Sequence, residues 1–98
     1  MKFLIRTSHL KNKRYDGIFL GTNPSEKTLV VPFGSPVHEN FIFHKNEKRR
    51  ELYLKRHAKN EDWNNPFTAG ALSRWILWGP TTDFNKNIEL FKKKFDLK

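Results

Sequence analysis

The spacing of apolar and polar positions divides the chain into a strand-like first third and a helix-like remainder. In "KFLIR", Phe3 and Ile5 fall on one side and Leu4 and Arg6 on the other, the two-residue period of a half-buried strand. "RYDGIFLG" predicts a second short strand that stops at Gly21, after the polar, basic connection "SHLKNK". "TNPSEK" carries Asn-Pro, a turn signal. "TLVVPFG" then gives a third strand with Leu29, Val31 and Phe33 on one face. Pro32 cannot donate to a ladder, so this strand is expected to lie at an edge or to end there. Three short strands make a marginal sheet that must lean on helices.

Gly34, Ser35 and Pro36 break the third strand, and Phe41, Ile42 and Phe43 are expected to plug the following loop into the core. A first helix is predicted from Asn46, its N-cap, to about Asn60. With side chains about 100° apart, Lys48, Arg49, Lys55, Arg56 and Lys59 fall within an arc of about 120° centred near Leu52. Tyr53, Leu54 and Ala58 lie outside it, free to dock. A second helix is expected near Pro66, where "FTAGALSRWILW" is apolar almost all round, the pattern of a buried central helix. Gly79-Pro80 ends it. Thr81 or Thr82 is expected to cap a third helix, whose Phe84, Ile88, Phe91 and Phe95 form one stripe with Lys86, Lys92, Lys93 and Lys94 outside it.

The expected architecture is α+β: one domain over residues 1–98, with a small, mostly antiparallel three-stranded sheet (1–43) followed by three helices (44–98), the Trp-rich one central. A chain this short needs a core dense in large side chains, and nine Phe, three Trp and two Tyr provide one.

Charge sharpens the functional reading. Nineteen Lys/Arg against ten Asp/Glu give a net charge of +9, shared between the two halves of the chain. Such a balance favours a polyanionic partner. There is no cysteine, so disulfides and Cys-based zinc sites are excluded. No apolar run of about 18 residues exists to span a membrane, and the apolar part of the N-terminus is too short for a secretory signal. The basic face supplies phosphate contacts through Lys45, Lys48, Arg49, Lys55, Arg56 and Lys59, with Arg50 and His57 toward its flank. Lys11, Lys13 and Arg14, and Lys92, Lys93 and Lys94, are candidates to extend it. Nothing in the pattern suggests base readout, so binding is expected to be sequence-independent and salt-sensitive. Leu52, an apolar residue ringed by charge, fits an interface anchor instead.

Catalytic readings are weaker. Four histidines lack the spacing that presets a metal centre, and a nuclease-like grouping of His38, His44, His57 and Asn60 matches no motif. Glu61 and Asp62 are adjacent in a loop, better placed to pair with cations or cap an element than to share one substrate. The five glycines are dispersed and Ser73 has no local activating His. Neither a cofactor nor a small-molecule substrate is expected. Trp75 and Trp78 are expected in the core; Trp63, in a polar connection, is open.

The segments "FG" at 33–34, "HK" at 44–45, "RR" at 49–50, "YLKRH" at 53–57, "NEDW" at 60–63, "TAGALSRWILW" at 68–78 and "FKKKF" at 91–95 occur in that order. The order resembles a small protein family encoded by nucleocytoplasmic large DNA viruses, the giant-virus group, over about residues 28–95. The resemblance implies a viral protein of the virion or of the host cytoplasm, where viral factories form. It brings no catalytic residues with it. The expected function is therefore non-enzymatic binding of nucleic acid, DNA ahead of RNA. The alternative is a capsid-associated or core structural protein acting through protein contacts, and a metal-dependent nuclease is the minor third.

Overall fold

The computed structural model describes residues 1–98. β1 (Lys2–Thr7), β2 (Tyr15–Leu20) and β3 (Leu29–Phe33) form one antiparallel sheet in that order, the α+β arrangement expected. The alternation holds: Phe3, Phe19 and Phe33 point inward and are fully buried. Pro32 sits in β3, an edge strand with no neighbour on its far side. The opposite edge is closed by the chain's own end, where Phe3 N–H donates to the Lys98 carbonyl at 2.8 Å and Lys98 N–H to that of Met1 at 3.1 Å.

Four helical elements follow. α1 (Phe41–His44) is a single turn capped by Asn40, whose side chain accepts from Ile42 N–H. It extends helix into the last three residues of the segment expected to be strand-rich. Only Phe41 enters the interior, whereas Phe43 is half exposed. α2 (Glu47–His57) starts as expected, with the Asn46 side chain accepting from Arg49 N–H at 3.1 Å. Glu47 in its first turn and Lys55, Arg56 and His57 in its last suit the helix dipole. It stops before Asn60, and Ala58, expected to dock, is exposed. No α2 residue is fully buried; Tyr53 and Leu54 reach only half-burial.

α3 (Ala69–Leu72) begins three residues after Pro66, where Thr68 caps it. It widens into a π turn over Ser73–Leu77, closed by Trp78 N–H to the Ser73 carbonyl at 2.9 Å. Leu72, Ile76 and Leu77 from this element join the three strand phenylalanines and Ile88 and Phe91 of α4 (Phe84–Lys94) in one core. Trp75 and Trp78 pack against that core while half-buried. The cap of α4 is Asp83, not Thr81 or Thr82. The Thr81 hydroxyl is already committed, to Asn87 Oδ1 at 2.7 Å and the Asp83 carbonyl at 3.2 Å. Asn87 is wholly buried and also donates to the carbonyls of Ile76 (2.9 Å) and Thr81 (2.8 Å), fastening α4 to the end of the π turn.

Candidate functional site

The basic arc of α2 divides into two parts. On the side that leans toward the body of the protein, Arg49, Leu52, Tyr53, Arg56 and His57 line a cleft of about 870 Å³. Opposite them stand Asn12 and Lys13, the turn from Gly34 to Asn40, and Glu61, Ala69, Gly70, Ser73, Leu77 and Trp78. The remaining cations, Lys45, Lys48, Lys55 and Lys59, stay outside the cleft, exposed. Leu52 lies between the two sets and is 51 % exposed.

Three contacts hold α2 in this position. Tyr53 stacks on Trp78 with ring centroids 4.1 Å apart and planes 3° from parallel, and His57 stacks on Tyr53 at 4.2 Å. Arg50, read from the sequence as a flanking phosphate contact, turns inward instead. Its Nε donates to the carbonyls of Trp78 and Gly79 at 3.2 and 2.9 Å. Glu61 closes the set: its Oε1 lies 3.2 Å from His57 Nδ1, and its Oε2 accepts from Trp63 Nε1 at 2.8 Å. The Glu61 partners are thus an imidazole and an indole, not the expected Lys or Arg, while Asp62 accepts from Asn64 N–H. Gly70 is where this carboxylate passes the α3 backbone; a Cβ there would stand 2.5 Å from Oε2. Trp63 is thereby assigned: Glu61 holds its edge, and the Arg74 guanidinium covers its face at 5.2 Å.

The turn opposite α2 depends on Gly34, whose φ of 84° is a left-handed conformation that side chains disfavour. Arg14 pins the same turn, donating to the carbonyls of Ser35, Pro36 and His38 and covering Phe43 at 4.8 Å. Arg14 is thus removed from the expected extension of the basic face. Lys94 is removed likewise, lying 4.5 Å from the Trp75 ring centre, and Lys92 pairs with Glu89. Lys13 alone of the first loop's basic residues enters the cleft.

The histidines do not converge. His38 Nδ1 is 2.9 Å from Ser35 Oγ, His44 Nδ1 accepts from Asn46 N–H, and His57 faces Glu61. No group of three or more His, Asp or Glu is placed to hold a metal ion. Burial, then the Arg49 charge, pulls the His44 pKa below its ordinary value, so it adds no positive charge at neutral pH.

Burial pushes the Tyr53 phenol up to about 12; the Glu61 charge adds to the shift, while Ser73, Arg74 and Arg56 oppose it. The fold therefore favours the neutral phenol. That preference stabilises fully below the ordinary value of 10.0 and is lost as pH rises from there toward about 12. The phenolate absorbance that disappears in Tyr53→Phe should accordingly emerge near 12, not near 10.

Residues 4–57 match a family model described as a family of unknown function, DUF5754. The chain belongs to DUF5754. The matched stretch runs from β1 to the end of α2 and takes in Lys13, the Gly34 turn and the arginine side of the cleft, while Glu61 and α3 lie beyond it. No curated protein and no solved structure matches this DUF5754 chain.

Proposed function

We propose that this DUF5754 protein binds nucleic acid through the outer side of α2, without a catalytic step and largely without sequence preference. One observation carries the reading. Lys45, Lys48, Lys55 and Lys59 are exposed outside the cleft, Arg56 is exposed on the cleft side, and none forms an ion pair. Arg49 has a carboxylate partner, Glu39 at 3.6 Å with both side chains more than half exposed, and the inward-turned Arg50 has Glu47 at 3.9 Å. A solvated face laced with carboxylates would neutralise itself; this one keeps its charge for a partner. The resemblance in motif order to giant-virus proteins makes duplex DNA the first ligand to test, with the virion or viral factory as the setting. Duplexes of unrelated sequence should bind with equal affinity at micromolar concentration or tighter in about 50 mM salt.

A second reading, a structural protein of the virion, has its own support. The strand register aligns Leu4, Ile18 and Val30 across all three strands on the sheet face away from the core. Leu4 and Val30 are 49 % and 44 % exposed, and Leu52 adds a separate apolar point. If Leu52→Asp removed binding to a viral shell component while DNA binding stayed unmeasurable, this reading would replace the first. Under the nucleic-acid reading Leu52→Asp weakens DNA binding only modestly, by less than about tenfold, through one added negative charge.

A further inference from the structure

We infer that the cleft beside α2 is a site for a phosphate monoester, carried by a free nucleotide or by the phosphorylated end of a nucleic-acid strand. The inference rests on the reading of α2 as a phosphate-binding helix and extends it from the outer side to the cleft side. The charges inside the cleft lead to the ligand. Its two carboxylates are both engaged, Glu39 with Arg49 and Glu61 with His57 and Trp63. Arg56 and Lys13, on opposite walls, have neither an ion pair nor a side-chain hydrogen bond. Two cations without a carboxylate partner therefore line one hollow. A phosphate monoester presents three terminal oxygens and can accept from both cations at once, whereas a backbone diester presents two, so the monoester suits the cleft.

Shape supports the same class. The hollow lies between α2 and the Gly34–Asn40 turn, with room for a mononucleotide or a strand end. Its volume of about 870 Å³ suits a ligand of nucleotide size. Only five of its eighteen lining residues are hydrophobic, which disfavours a lipid or other apolar ligand. Arg56 offers a planar fork suited to two phosphate oxygens, while Lys13 supplies a point charge from the far side. The outer lysines then follow a strand's backbone while the cleft takes its end.

Calorimetric titration of the whole chain with AMP and with adenosine tests the inference. AMP should bind and adenosine should not, and Lys13→Gln with Arg56→Gln should weaken AMP by at least about tenfold with the melting temperature unchanged. Equal binding of AMP and adenosine, no binding of AMP, or unchanged affinity in the double variant would each overturn it. A 5′-phosphorylated tetranucleotide that binds more tightly than AMP marks the strand end as the source, and one that does not marks the free nucleotide. Lys48→Gln with Lys55→Gln separates the two claims, because it should weaken duplex DNA and leave AMP unaffected. Duplex affinity that stays unchanged in this variant refutes the outer-face reading, and AMP affinity that falls in it refutes the cleft as a separate site.

Discussion

Exchanging Lys48, Lys55 and Lys59 for glutamate will reduce duplex DNA binding by more than about 100-fold in 50 mM salt, with the fold retained. All three side chains are exposed and none has a partner, so their loss breaks no contact within the protein. Negative charge toward the C-terminal end of α2 opposes the helix dipole, at a cost of about 0.3–1 kcal/mol per residue. That penalty is small beside the binding effect. The corresponding glutamine variant avoids it and should lose binding by a smaller factor, since charge is removed but not reversed. Electrophoretic or anisotropy titration measures the affinities, and circular dichroism shows that the helices persist. A triple-glutamate protein that binds DNA as the native chain does would place the phosphate contacts elsewhere.

Asn87→Leu has the largest effect expected on stability, about 3–5 kcal/mol. The asparagine has no exposed surface, and its amide satisfies the carbonyls of Ile76 and Thr81 together with Thr81 N–H and hydroxyl. Leucine fills the space but leaves the Ile76 carbonyl buried without this partner and removes the part-buried bonds to Thr81. The stability of so small a domain is of order 5–15 kcal/mol, so this one change removes a large part of it. Urea unfolding gives the loss directly. Asn85→Ala, on the exposed side of the same helix, should change stability by less than about 0.5 kcal/mol. Similar losses at both positions would mean that Asn87 contributes only helix propensity.

These two predictions mark where the sequence was legible and where it was not. Alternation in "KFLIR", the edge role of Pro32, the Asn46 cap and the Phe84–Ile88–Phe91–Phe95 stripe are local signals, and local physics sets them. The sequence pointed to Thr81 or Thr82 as the α4 cap, and Asp83 takes that place instead. The choice turns on Asn87, which occupies the Thr81 hydroxyl from a helical turn away. α1 is too short to have a period; it exists because Asn40 caps it and Phe41 is buried. Helical geometry placed arginines and lysines in one arc but could not show which side faces inward. That depends on the Tyr53–Trp78 stack and on Arg50 reaching the Trp78 and Gly79 carbonyls. The cleft was invisible for the same reason, since its walls come from segments as distant as Asn12 and Trp78.

The most direct measurement of the central claim is the salt dependence of duplex DNA binding. With about five phosphate contacts along α2, log affinity should fall against log salt with a slope of about −4.5. Between about 50 and about 200 mM, that slope lowers affinity by a factor on the order of several hundred, whatever the sequence. No binding in low salt, or binding indifferent to salt, would contradict the claim and leave α2 as a surface for docking another protein.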